Sequence, residues 1–205
     1  MESGFSKQIL IFFVLLAAID PNKNSTTATT DLIPKATTQF IKASCTATTY
    51  PKLCFTSLSA HANKIRTNPE LLTKTAIDVA LLSTETTSST VANLLKSKGQ
   101  LSRREVGAVT DCVEELRDSM DRLKRSVSEM KKLKGGDGFD FEMTMSNIQT
   151  WISAALTDED ACMEGFGGRS MDGYVKAFVK QHIEMIAHLT SNALALVNKF
   201  ADLHG

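Results

Sequence analysis

The chain has 205 residues, with 23 Lys and Arg balanced by 23 Asp and Glu, so its formal charge is zero. That balance argues against a nucleic-acid or anionic-membrane partner, both of which call for a marked basic excess. About 165 residues remain once the N-terminal lead is set aside, enough for one domain with a real core.

The first feature is Ile9 to Ala18, ILIFFVLLAA, behind a short start that carries Lys7. It falls short of the roughly 20 apolar residues that span a bilayer. It fits the apolar part of a secretory signal, so residues 1–28 are expected to be a signal peptide cleaved between about 18 and 28. No later segment is apolar enough to anchor the chain. Asn24-Ser25-Thr26 is a candidate glycosylation sequon that lies close to that cut. Thr and Ser dominate from Ser25 to Thr49, and residues 29–38 are expected to be a flexible Thr-rich lead-in to a domain at 39–205.

Next comes CTATTYPKLC, with Cys45 and Cys54 around a Tyr-Pro step. With Cys112 and Cys162 the chain has four cysteines. In an oxidising compartment an even set forms disulfides, and four cysteines allow three pairings. The short spacing favours Cys45–Cys54, which leaves Cys112–Cys162. None of the four histidines, at 61, 182, 188 and 204, stands where a zinc site would want one. Pro51 suits a first helical position, where its missing N–H costs nothing.

No proline occurs beyond Pro69, and four long helical patterns fill that space. Asn68-Pro69 supplies an N-cap and a first-turn proline, and Gly99 a stop. The stripe of this first helix is Ile77, Leu81, Thr84, Ser88, Val91 and Leu95. Its middle, Ser83 to Thr90, is nearly all Ser and Thr, at about 0.5 kcal/mol each against Ala. Hydroxyls bonding back to the helix backbone account for that run; a smooth polar face for a partner is the sharper alternative. Ser102 and Glu105 form a capping box, flanked by a Leu101/Val106 staple. The second helix then places Val106, Val109, Val113, Leu116, Met120, Leu123, Val127 and Met130 at alternating steps of three and four, up to Gly135-Gly136.

The third pattern runs from about Phe141 to Gly165, with Met145, Ile148, Ile152, Ala155 and Cys162 on one stripe. Cys112 lies beside the stripe of the second helix, so a Cys112–Cys162 bond would tie two helices at their seam. The fourth starts near Asp172 and carries Val175, Val179, His182, Ile186, Leu189, Ala193, Leu196, Phe200 and Leu203. These are the seams of a left-handed bundle, and short linkers make neighbours antiparallel. The expected fold is all-α: an up-and-down four-helix bundle with a disulfide-stapled N-terminal helical hairpin.

No nucleophile and base stand in a convincing relation. Asp158, Glu159 and Asp160 read as a solvated acidic turn, and His182 as a buried, hydrogen-bonded core residue. Met120, Met130, Met143 and Met145 read as packing. The glycines at 135, 136 and 138 lack the context of a phosphate loop. The residues alone describe a secreted, stapled helical binding or structural protein with no catalytic site, cofactor or metal.

Four pieces carry a resemblance: CTATTYPKLCFTSL at 45–58, DCVEELRDSMDRL at 111–123, TWISAALTDEDACMEGF at 150–166 and SNALAL at 191–196. Together they resemble the plant invertase/pectin methylesterase inhibitor family. The resemblance implies disulfides Cys45–Cys54 and Cys112–Cys162, a helical hairpin on a four-helix bundle, and inhibition of a cell-wall enzyme by covering its active-site cleft. Many invertase inhibitors carry Pro-Lys-Phe between the third and fourth cysteines; this chain has no proline there, and NIQTWISAALTDEDAC is similar to the pectin methylesterase branch. Ala161 stands where that branch commonly has Thr.

The implied partner is thus pectin methylesterase, with acid invertase the alternative, and a non-inhibitory secreted bundle a third reading. The expected protein is a free-standing apoplastic monomer before complex formation. Its interface would use exposed faces of the bundle helices. Thr84, Glu85, Ser88, Glu114 and Asp118 are the candidates, being polar and either off the core stripes or at their thin part.

Overall fold

The computed structural model describes residues 35–96, 101–133, 139–168 and 171–204. The expected signal segment, Asn24 and the stop signals at Gly99 and Gly135-Gly136 lie outside them. The elements are α1 (Lys35–Cys45), α2 (Pro51–Ser59), α3 (Ala62–Ile65), α4 (Pro69–Leu94), α5 (Arg103–Met130), α6 (Phe139–Ala161), a 3₁₀ turn (Glu164–Phe166) and α7 (Tyr174–Asp202). There is no strand among the described residues.

The start signals work as their chemistry requires. Pro51 occupies the first turn of α2 and Pro69 that of α4. Asn68 Oδ1 accepts the Leu71 amide at 2.9 Å. Ser102 and Glu105 close the capping box of α5, with the Ser102 amide donating to Glu105 at 2.7 Å and the Glu105 amide to Ser102 at 3.2 Å. One boundary departs from the sequence reading. Helix α1 begins at Lys35, so residues 35–38 are helical and not lead-in; Thr37 is buried there against the rest of the domain.

Helices α4, α5, α6 and α7 each pack on two neighbours in a closed ring. Two apolar clusters fix their directions. One joins Leu72–Ala80 of α4, Leu123 and Met130 of α5, Phe141–Ala155 of α6 and Leu189–Phe200 of α7. The other joins Val91 of α4, Ala108–Leu116 of α5, Cys162 beyond α6 and Val175–Ile186 of α7. The start of one helix therefore meets the end of the next all round the ring, which is the up-and-down arrangement. Helices α1 to α3 close over the first cluster through Ile41, Leu58 and Ile65, against α4 and α7.

Both disulfides form, Cys45–Cys54 between α1 and α2 and Cys112–Cys162 between α5 and the end of α6. Beyond α6 the chain passes very close to α5: a Cβ on Gly165 would lie 3.2 Å from Ala108 Cα, so a larger residue there would require α5 to give by a fraction of an ångström.

The stripes hold with local exceptions. Leu95 is 39% exposed, Val106 43% and Leu203 61%, each at an end of its seam. His182 is half-buried at the rim, and Ile183 fills the core in its place. Its Nδ1 sits 2.8 Å from the Phe178 carbonyl, and its ring leans on Phe178.

Candidate functional site

The five sequence-predicted interface residues separate into two groups. Thr84 and Ser88 are buried inside the bundle and cannot meet a partner. They occupy inward positions of α4. Glu85, Glu114 and Asp118 reach the surface. Glu85 is half-exposed and lies 3.8 Å from Lys124 of α5. Glu114 and Asp118 are exposed one turn apart on α5.

Asp118 lies near two further carboxyls of the α5–α6 pair, Glu115 and Asp158. Partial burial pushes the Glu115 carboxyl above the ordinary carboxylate range, and the charges of Asp158, Asp118 and Glu164 push it the same way, against Arg122. Asp158 is buried, and its Oδ2 accepts from Arg122 Nε. Burial, helped by the charge of Asp118, raises its pKa as well, against the pull of Arg122. The exposed face of α5 carries both signs, Arg117 and Arg125 standing beside Glu114 and Asp118, while Arg122 is engaged by Asp158. Among the described residues no group of His, Cys, Asp and Glu is arranged to hold a metal ion.

Behind that face lies a polar layer between the two apolar clusters. The sequence reading made Asp158 to Asp160 a solvated turn. They are instead in the last turns of α6, and Glu159 has no exposed surface at all. Its Oε1 accepts from Thr190 of α7 at 2.9 Å and from Ser119 of α5 at 3.0 Å, and Thr84 Oγ1 of α4 lies 3.3 Å away. One atom thus gathers a side chain from every long helix. Burial pushes the Glu159 carboxyl up to about 7, although all three hydroxyls pull it down. The outward hydroxyls of the α4 run behave as the simpler reading expects. Thr86, Ser89 and Thr90 each donate to the carbonyl four residues back, at 2.8, 3.0 and 2.8 Å.

Glu159 escaped the sequence reading, yet a signal was there. Positions 145, 148, 152, 155, 159 and 162 alternate steps of three and four without a gap. The pattern alone puts residue 159 on the core face, whatever its charge.

The sequence model of the plant invertase/pectin methylesterase inhibitor family matches residues 39–196. The chain belongs to that family. It is a family of inhibitors, so this member works by binding and not by catalysis. The 21 kDa protein of Daucus carota is 47% identical over 199 residues, 97% of each chain. Pectinesterase inhibitor 11 of Arabidopsis thaliana is 43% identical over 201 residues, 96% of this chain and 98% of its own. A crystal structure of a mutant form of a pectin methylesterase inhibitor from Arabidopsis shares the fold, with a TM-score of 0.59 over 75% of this chain and 92% of that one at 20% identity. The inhibitor family and the all-α bundle thus stand as the four sequence pieces implied.

Proposed function

We propose that this protein is a secreted inhibitor of pectin methylesterase. It acts by laying a preformed face of the bundle over the enzyme's active-site cleft, in a reversible complex of fixed stoichiometry that needs no cofactor. The observation that carries this reading is the near full-length similarity to an Arabidopsis thaliana protein named as a pectinesterase inhibitor, at 43% identity. The interval between Cys112 and Cys162, free of proline and reading NIQTWISAALTDEDAC at its end, supports the esterase over the invertase as target. The apolar run at Ile9–Ala18 and two disulfides support export to the cell wall. Among the described residues no helix is long and apolar enough to cross a membrane.

The exposed charged face of α5, with Glu114 and Asp118 and the nearby Glu85, is the proposed contact face. A rigid charged strip steers encounter, and any pair it buries against the enzyme fixes register. The test is a titration of purified pectin methylesterase with this protein, with acid invertase assayed beside it. Loss of esterase activity that saturates at a fixed molar ratio and recovers on dilution is the expected result. Full esterase activity at large excess of folded protein would end the proposal, and loss of invertase activity instead would transfer it to that enzyme.

A further inference from the structure

The polar layer has more acceptors than protons to fill them. Thr84 Oγ1 lies 3.0 Å from the Ala80 carbonyl and 3.3 Å from Glu159 Oε1. A hydroxyl carries one proton and can donate only once. Ser119 and Thr190 direct theirs at the same Oε1. An ionised Glu159 would therefore draw the Thr84 proton away from the Ala80 carbonyl. It would also leave a full charge in the core with Oε2 buried and unpartnered.

One added proton removes the buried charge and the competition for Thr84, leaving Oε2 the unpartnered oxygen of a neutral acid and not of an anion. Carried on Oε1, it donates to Thr84 Oγ1. Thr84 is then free to donate to Ala80, while Ser119 and Thr190 still donate to the carboxyl. We propose that Glu159 is held as the neutral acid in the folded bundle, and that this single proton is a structural component that ties α4, α5, α6 and α7 in register.

The titratable and charged groups around this point come from all four helices. On α6, Asp158 and Asp160 flank Glu159, and Asp160 adds a like charge that favours the proton. On α5, Arg122 is engaged by Asp158, Lys124 approaches Glu85 of α4, and Glu115 lies near Asp158. On α7, His188 stands two residues before Thr190 and stacks on Tyr50, with ring centroids 3.6 Å apart. Burial and Asp160 therefore act in the same direction. Their effect exceeds that of the three hydroxyls and leaves the carboxyl titrating at about 7.

Linkage gives the sign. The folded state binds this proton more tightly than the unfolded chain, whose glutamate titrates near 4.5. Stability from the site is full below about 4.5 and is lost as pH rises through about 7.

The test compares thermal unfolding of the wild type and Glu159→Gln from about pH 4.5 to about pH 8. Glutamine keeps the shape and is neutral throughout, and slopes from Asp158 and Glu115 are common to both proteins. The wild-type Tm is expected to fall by about 5 °C or more relative to Glu159→Gln between about pH 5 and about pH 7.5. Parallel curves would overturn the proposal. A second measurement decides alone if Glu159→Gln does not fold: carbon NMR of the glutamate carboxyls in folded Glu115→Gln, which removes the other glutamate with a raised pKa. One carboxyl still protonated at about pH 6 is expected. Ionisation of every glutamate by about pH 5.5 would overturn it.

Discussion

Asn192 grips the backbone of Tyr50 from both sides. Its Oδ1 accepts the Tyr50 amide at 3.0 Å, and its Nδ2 donates to the Tyr50 carbonyl at 3.0 Å. Tyr50 is the residue before α2, so this clip fixes the stapled hairpin to α7 of the bundle. Asn192→Leu keeps the number and branching of the heavy atoms and removes both bonds. A loss of about 1–3 kcal/mol is expected, with faster amide hydrogen exchange at Tyr50 and through α2. Unchanged exchange there would show that the hairpin is held by its apolar contacts alone.

The two disulfides close loops of different length, with sequence separations of 50 and 9. Loop-closure entropy then assigns about 4 kcal/mol to Cys112–Cys162 and about 2.5 kcal/mol to Cys45–Cys54. Replacing each pair with Ser and measuring denaturant midpoints should give the larger loss for the longer loop. The reverse order would place more of the stability in the hairpin than chain entropy predicts.

Leu116 and Leu189 lie in different apolar clusters, both buried. Leu116→Ala and Leu189→Ala are each expected to cost about 2–5 kcal/mol through lost burial and a residual cavity. Val106→Ala serves as the contrast. Val106 shares the sequence stripe of Leu116 but is exposed, so its loss should stay within about 0.5 kcal/mol. Urea melts of the three variants check the ranking.

On the proposed contact face, charge reversal at Glu114 and Asp118 together should weaken inhibition of pectin methylesterase about tenfold or more, chiefly through slower association. The unfolding midpoint should barely move, because both side chains are exposed. Inhibition curves at low and high salt provide the check. An unchanged curve with intact fold would move the contact face elsewhere on the bundle.

Backbone periodicity and capping chemistry made most of the fold readable. Asn68-Pro69 and Ser102 with Glu105 mark helix starts because orphan amides need acceptors there, and the three–four spacing of Val109, Val113 and Leu116 requires a buried face. The buried centre was harder to read. Thr84, Ser119, Glu159 and Thr190 are polar, and polarity in sequence is an argument for solvent. Only their meeting in space makes burial tolerable, since each supplies what another lacks. The same fact misplaced Thr84 and Ser88 on the surface. His182 went the other way: its stripe position suggested burial, but the seam drifts by one residue and Ile183 takes the inner side.

The Cys112–Cys162 bond joins α5 to the chain just past α6, at the end opposite their chain connection. These two helices are therefore closed covalently at both ends, a ring of protein within the bundle. A slip of one turn between them, about 5.4 Å along the axis, would have to break a bond. No such ring binds α4 or α7 among the described residues. A separation of α4 or α7 from the bundle would strain no such ring, whereas a separation of α5 from α6 would work against a covalent link at each end. The proposed contact residues Glu114 and Asp118 ride on that ring.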